Sequence, residues 1–165
     1  MRTPLAAVVI VAAAALPSAE PLAATADTAP RWSWSVAAPR DVVRDYTAPA
    51  SPWGAGHRGI DVTAASGTPV AAPEDGVVVH AGPIVDRGVL AIEHADGVRS
   101  SFEPVEARVA EGDRVRRGQV VAEVAAGGTH PPGVLHLGAR VHGAYVSPLL
   151  FLGGLERAVL LPLAG

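Results

Sequence analysis

The sequence contains no cysteine and no lysine, and only 4% of its residues are aromatic. The absence of cysteine excludes disulfides, thiolate metal ligands and a lipid-modified cysteine. All 13 basic residues are arginine and the formal net charge is only −3, so the chain lacks the basic surface typical of a nucleic-acid partner. We therefore expect no nucleic-acid binding, and we expect any metal site to use histidine and carboxylate ligands.

Long hydrophobic runs are also absent. The longest apolar run, residues 5–16, is shorter than the roughly 20 residues of a membrane-spanning helix. It follows Arg2 and precedes Pro17 and small residues, which is typical of a secretory signal peptide. We predict a signal peptide over residues 1–26, cleaved after Ala19, Ala24 or Ala26, and a secreted chain with no stable membrane span after cleavage. An uncleaved membrane anchor is the alternative.

The rest of the chain has the pattern of short strands and turns that is typical of an all-β protein. Residues 27–52 are interpreted as a linker and an N-terminal arm, of which residues 32–46 form an edge strand or an ordered segment. From Trp53 onward, short Val, Ile and Leu runs alternate with Gly, Pro and Asp-Gly turns. This pattern predicts a compact antiparallel β-sheet domain over residues 53–152, followed by an apolar tail over residues 153–165. The clearest predicted strands are residues 76–80, 89–94, 98–103, 119–124 and 135–141, with a hairpin turn at Asp96-Gly97.

Two histidines and one aspartate form the most informative pattern. His57 and Asp61 lie in Gly-His-Arg-Gly-Ile-Asp, and His136 lies far downstream in Leu-His-Leu-Gly. Two imidazoles and a carboxylate form a three-ligand zinc set that leaves a fourth position open, as in catalytic zinc sites. We predict one zinc ion per chain, held by these three residues.

Three segments, in order, resemble the lysostaphin-like (LytM-type) zinc peptidase family. They are Trp-Gly-Ala-Gly-His-Arg-Gly-Ile-Asp at residues 53–61, the Thr-Pro-Val to Asp-Gly-Val-Val stretch at residues 68–78, and Val-Ala-Glu-Gly-Asp-Arg-Val-Arg-Arg-Gly-Gln at residues 109–119. The resemblance runs from about residue 53 to about residue 152. It implies a β fold around a groove over the metal, zinc ligands at His57, Asp61 and His136, and hydrolysis of peptide bonds in the cross-links of bacterial peptidoglycan at the cell wall.

The chain departs from this family at two positions. Active members carry a further histidine in a Tyr-x-His-Leu stretch and another in a His-x-His motif; here these positions hold Pro104 and Val134. Neither side chain can transfer a proton, a role that contributes roughly 10²–10⁴-fold to catalysis. Strand alternation predicts that Glu103 points away from the site. His130, in the loop over residues 127–133, is then the candidate for a relocated catalytic histidine, and a solvent-facing loop histidine is the alternative.

Two further residues are candidates for substrate binding. Trp53 is four residues before His57 and could line a substrate groove. Arg140 ends the stretch that contains His136, and it could support the site or pair with Asp86 or Glu93.

Three functions remain open from the sequence. The first is a zinc endopeptidase acting on peptidoglycan peptides. The second is a non-catalytic member that binds wall peptides or regulates another cell-wall hydrolase. The third is a β scaffold without metal. The two replaced histidines favour a zinc-binding, metallopeptidase-like domain in which hydrolysis is weakened or lost.

Overall fold

The computed structural model describes residues 31–51, 53–128 and 130–152. The predicted signal peptide and the apolar tail lie outside these residues. No helix in the described ranges is long and apolar enough to cross a membrane. Within them the chain forms eleven strands and one short helix: β1 Val42–Arg44, β2 Gly59–Thr63, β3 Pro69–Ala71, β4 Gly76–Ile84, β5 Arg87–Glu93, β6 Val98–Glu103, β7 Val105–Ala107, β8 Arg114–Val115, β9 Val120–Val124, β10 Val134–Val141, β11 Ala144–Val146 and α1 Leu149–Leu152.

The strands form two antiparallel sheets, as the alternating pattern predicts. The larger sheet has the order β1-β2-β10-β6-β5-β4-β8, and β11 also pairs with β10. The smaller sheet has the order β3-β9-β7. Strand β10 is central, because it pairs with β6 along one edge and with β2 and then β11 along the other.

Alternation along β10 separates the core from the site. Leu135 and Leu137 are buried in the core, and His136 between them lies on the opposite face. In the pairing register, His136 lies opposite Asp61 of β2 on one side and opposite Glu103 of β6 on the other. Residues paired across strands share a face. The three side chains therefore form one row across the outer face of the larger sheet.

The core takes side chains from both sheets and from the N-terminal arm. Trp32 is 1% exposed and stacks on Phe151 of α1, with 4.6 Å between ring centroids. Backbone hydrogen bonds join Trp32 to Phe151 and Ser33 to Pro73. The arm is therefore packed into the domain, and its strand β1 forms the edge of the larger sheet beside β2.

Most predicted strands are confirmed, with shifted ends. Residues 98–103 match β6, and the predicted strand at residues 76–80 extends to Ile84 as part of a long hairpin. The turn at Asp96-Gly97 is part of a 3-10 turn between β5 and β6, with Gly97 at φ 67°. The short strands β3, β7, β8 and β11 were not predicted, since two or three residues are too few to show alternation.

Candidate metal centre and adjoining cleft

The side chains of His57, Asp61 and His136 converge on one point. His57 Nε2 lies 3.0 Å from Asp61 Oδ1 and 3.1 Å from His136 Nδ1, and His136 Nδ1 lies 2.8 Å from Asp61 Oδ1. Ligand atoms about 2.0–2.1 Å from a tetrahedral zinc ion are separated by about 3.3 Å. The observed triangle is close to one face of such a tetrahedron. All three residues are buried.

The backbone carbonyl of Asp45 sets the tautomer of His57. His57 Nδ1 lies 2.8 Å from this oxygen, which can only accept, so Nδ1–H donates and Nε2 is left with a lone pair in the neutral ring. The backbone of His57 is fixed as well, because it exchanges two hydrogen bonds with Thr47. Nε2 and the carboxylate of Asp61 are then two acceptors in contact. Such acceptors are stable together when a cation lies between them, so the donor set fits a metal ion.

The surroundings of Asp61 favour its ionised form. Burial raises the pKa of Asp61, but the hydrogen bond with His136 and the charges of His136, His57 and His130 outweigh burial and leave the pKa below its usual range. Asp61 is therefore a carboxylate at neutral pH, which is the form that binds a metal.

Gly59 allows the two ligand strands to approach each other. A Cβ atom at this position would lie 2.2 Å from the carbonyl oxygen of Leu137 and 2.6 Å from His136 Nε2. Any other residue would push β10 away from β2 or displace the imidazole of His136.

His130 lies beside this triangle. Its ring stacks on His136 with 4.8 Å between centroids, its Nδ1 is 3.5 Å from Asp61 Oδ1, and its Nε2 is 3.4 Å from Glu103 Oε1. Only 11% of the side chain is exposed, so the alternative of a solvent-facing loop histidine is wrong. The loop is anchored near Gly127 and Gly128, which pack against Asp86 and Arg87.

The prediction that Glu103 points away from the site is wrong. It is Phe102 that faces the core, at 0% exposure, and the pairing of Glu103 with His136 turns its carboxylate toward the cleft. Arg87 Nε donates to Glu103 Oε2 at 2.6 Å. Burial raises the pKa of Glu103, but the hydrogen bond and charge of Arg87, with smaller contributions from His136 and His130, lower it overall. Glu103 is thus a charged group that the sequence reasoning missed, and the apolar neighbour Phe102 is the signal that could have found it.

The positions of the two missing histidines are chemically inert. Pro104 is buried directly after β6, and Val134 is buried at the start of β10. Neither side chain offers a donor, an acceptor or a proton.

A cleft of about 480 Å³ extends from His136 along the outer face of the sheet. Arg140 lies in its wall, but it does not pair with Asp86 or Glu93, as the sequence suggested; these carboxylates pair with Arg87 and Arg99. Arg140 instead stacks on the ring of Tyr145 and donates a hydrogen bond to its hydroxyl group. The residues around the cleft are Arg58, His80, Ile84, Arg87, Val89, Ala91, Arg99, Ser101, Glu103, His136, Arg140 and Tyr145.

Trp53 is not among the residues that line this cleft. It is 95% exposed in the loop before His57, and Arg58 donates a hydrogen bond to the adjacent Gly54 carbonyl. Trp34 packs against the core, and Trp32 lies within it.

Comparisons of the sequence with known proteins point to one family. Residues 55–148 match the family described as Peptidase family M23. An uncharacterised protein of Mycobacterium tuberculosis is 39% identical over 125 residues, which is 72% of this chain and 50% of that protein. The DD-carboxypeptidase/endopeptidase Mpg of Neisseria meningitidis is 36% identical over 94 residues, which is 56% of this chain and 22% of Mpg. The chain thus spans half or less of the length of these curated relatives.

Solved structures share the fold. The catalytic domain of the antimicrobial peptidase lysostaphin from Staphylococcus simulans is 24% identical, with a TM-score of 0.60, and the match covers 69% of this chain and 92% of that domain. A chain from the SpoIIIAH and SpoIIQ complex is 23% identical, with a TM-score of 0.63, and the match covers 73% of this chain and 99% of that one. These similarities confirm the predicted all-β, lysostaphin-type architecture.

Proposed function

This chain belongs to peptidase family M23, and on that premise we propose that it is an exported zinc peptidase domain that acts on peptidoglycan peptides. His57, Asp61 and His136 would hold one zinc ion, and His130, oriented by Glu103, would take over proton transfer. The observation that carries the proposal is the triangle of His57 Nε2, Asp61 Oδ1 and His136 Nδ1, with edges of 2.8–3.1 Å, and the imidazole of His130 stacked on His136 beside it.

A bound zinc ion would supply Lewis-acid chemistry, polarising the scissile carbonyl and making water more acidic. The chain must still move protons. His130 Nε2–H donates to the ionised Glu103, which leaves the lone pair of His130 Nδ1 on the side of Asp61. Nδ1 can then accept a proton from the attacking water and return it to the leaving amine. Arg87 keeps Glu103 ionised and in place. Glu103 then orients His130 in the way that the carboxylate of a catalytic triad orients its histidine.

A second candidate is a non-catalytic domain that binds wall peptides or another protein, such as a cell-wall hydrolase. The inert side chains of Pro104 and Val134 favour it, because the family's two proton-transfer positions are lost. The similarity to a chain of the SpoIIIAH and SpoIIQ complex, an assembly of two proteins, supports it as well.

The two candidate functions differ in whether the chain hydrolyses peptidoglycan. The purified chain should contain about one zinc ion and cleave cross-linked peptidoglycan, with cleavage lost on chelation and restored by zinc. His136→Ala should remove stoichiometric zinc, because two ligands hold the ion far more weakly than three. One zinc ion without cleavage would support the non-catalytic candidate, and unchanged zinc in His136→Ala would reject the metal site.

The role of His130 is tested on the same assays. His130→Ala should keep zinc and lower the rate on the order of 10²-fold or more. His80→Ala is the matched control, since His80 lines the same cleft but its described hydrogen bond is to Gly82. If His130→Ala loses zinc, His130 is instead a fourth ligand of a closed site, which is typical of structural zinc. Full activity in His130→Ala would reject any catalytic role.

A further inference from the structure

Arginines predominate over carboxylates in the lining of the cleft beside the metal centre, although the chain as a whole is negative. Within the described residues it is lined by four arginines and one carboxylate, whereas the net charge of the chain is −3. Clefts lined by charge of one sign concentrate ligands of the opposite sign. The cleft is therefore suited to an anionic part of a ligand.

These arginines do not have equivalent partners. Arg87 pairs with Glu103 and Asp86, and Arg99 pairs with Glu93. Arg140 is half-buried, and among the described residues no carboxylate lies within 4.0 Å of it. Its contacts are the ring of Tyr145, 4.2 Å from the guanidinium carbon, and the hydroxyl group of that residue. A guanidinium group removed from water is stabilised when an anion satisfies it.

A second guanidinium converges on the same ring. The guanidinium carbon of Arg58 lies 5.6 Å from the centroid of Tyr145, and both arginines line the cleft. Tyr145 is held in turn, since its carbonyl accepts a hydrogen bond from Tyr46. Arg58, Arg140 and Tyr145, here called the arginine end of the cleft, form a rigid site with two positive charges.

The separation of Arg140 and His136 along β10 sets the distance between the arginine end and the metal centre. Arg140 is four residues after His136 on the same face of β10, about 13 Å along the strand. Gly138 lies between them, where a Cβ atom would lie 2.5 Å from Ser101 Oγ, a cleft residue. An extended peptide rises about 3.3 Å per residue, so about four residues span this distance.

We propose that the arginine end binds a carboxylate of the peptide ligand, about four residues from the bond held at the metal centre. This deepens the proposed function, because it takes the ligand to be a peptide at that centre. The preferred substrates are then short peptides with a free carboxylate, and amidation of that carboxylate weakens binding.

The test uses the full chain, immobilised as purified, and two acetylated peptides of five alanines that differ only in a terminal carboxylate or carboxamide. Short injections in surface plasmon resonance give both affinities. The carboxylate peptide should bind about ten-fold more tightly, as expected for a charge-assisted hydrogen bond. Arg140→Gln should bring the ratio near one, and Arg140→Lys should recover only part of it, since lysine lacks the planar fork.

Arg108→Gln is the matched control, because Arg108 is exposed and pairs with Glu123 near the smaller sheet. It should leave the ratio unchanged. Equal affinities in the wild-type chain, absence of carboxylate-peptide binding at millimolar concentration, or an unchanged ratio in Arg140→Gln would each overturn the proposal. If circular dichroism shows that Arg140→Gln is misfolded, the wild-type ratio and Arg140→Lys decide.

Zinc content and peptidoglycan hydrolysis are measured on the same proteins. A carboxylate preference without zinc or hydrolysis would reject the proposed peptidase and keep the arginine end as a binding site. Zinc-dependent hydrolysis without that preference would do the reverse.

Discussion

At the scale of single residues, the proposed reaction depends on a proton-transfer pair drawn from a loop and a strand. His130 comes from the loop before β10, and Glu103 ends β6, yet their side chains meet at 3.4 Å. The family's own positions for this role hold Pro104 and Val134. Proton transfer would therefore depend on a contact between two segments rather than on residues fixed within the strands.

Replacing Glu103 should separate proton transfer from metal binding. Glu103→Gln removes the charge that orients His130, and the rate should fall on the order of 10²-fold while zinc content stays the same. Peptidoglycan turnover and zinc content are measured together. Glu123→Gln is the control, because Glu123 also pairs with an arginine, Arg108, outside the cleft. An unchanged rate in Glu103→Gln would exclude Glu103 from the reaction.

The three candidate ligands could be picked out from the sequence because they lie in recognisable motifs, and the structure brings them together. Glu103 was missed because the family's histidine aligns with Pro104, and strand alternation from Pro104 assigns Glu103 to the face away from the site. The burial of Phe102 decides the face, since an aromatic residue within an alternating strand marks the core side. The contact of Arg140 with Tyr145 depends on the β10–β11 hairpin, whose second strand is too short to predict.

At the scale of elements, the loop that carries His130 is held by packing against the β4–β5 hairpin. Gly128 has φ 71°, and a Cβ atom there would lie 2.4 Å from Arg87 Cδ. Arg87 also holds Glu103. The hairpin, the loop and the end of β6 therefore all contact one side chain, that of Arg87.

Gly128→Ala should disturb this connection. The added methyl group displaces Arg87 or the loop, so hydrolysis should fall by at least ten-fold while zinc is retained. Gly133→Ala is the control, because Gly133 has a similar φ of 79° but open space around its Cβ position. Both variants carry about 1–2 kcal/mol of backbone strain. Equal activities in the two variants would show that the contact with Arg87 has no effect on the reaction.

The junction of β5 and β6 should make stability depend on pH. His94 is buried, its Nδ1–H donates to the Asp75 carbonyl, and its Nε2 accepts from the Ser100 hydroxyl. Burial lowers the pKa of His94, and the Asp75 hydrogen bond and the charge of Glu74 only partly oppose this effect. The neutral ring is thus the form that fits the fold.

Because this pKa is lower in the folded state, the stabilisation is complete above about pH 6.5 and is lost as the pH falls below that value toward the folded pKa. The free energy of unfolding should decrease by up to about 1.4 kcal/mol per pH unit in this window. Urea unfolding of the wild type and His94→Gln from pH 7.5 to 5 measures it. Parallel curves for the two proteins would assign the pH dependence to other groups.

At the scale of the whole molecule, the N-terminal arm and helix α1 pack against each other. Trp32 contacts Phe151, and its indole N–H donates to Glu74, which also pairs with Arg31. The family resemblance begins only near residue 53, and the sequence pattern before it left core and edge packing both open for Trp32 and Trp34. Trp32, Trp34 and Val36 alternate with serines, but alternation over only five residues does not decide whether that side packs into the core.

Two tryptophans offer a matched comparison for this packing. Trp32→Ala should lower the free energy of unfolding by about 3–5 kcal/mol, because it leaves a large cavity. Trp53→Ala should change it by less than about 0.5 kcal/mol, since Trp53 is 95% exposed. Denaturant unfolding at neutral pH measures both. Similar values for the two variants would show that the arm is not part of the cooperative unit.

The ligand triangle joins distant parts of a chain that has no covalent cross-links. His57 and His136 are 79 residues apart, and one ion held between them closes the segment that contains most of both sheets. In the chain-entropy description, a cross-link over a loop of this length lowers the entropy of the unfolded chain and so raises its free energy by about 4.5 kcal/mol. A metal ion bound here would thus act as a reversible counterpart of a disulfide bond. The availability of metal would then control how long the folded chain resists proteolysis, independently of any reaction it catalyses.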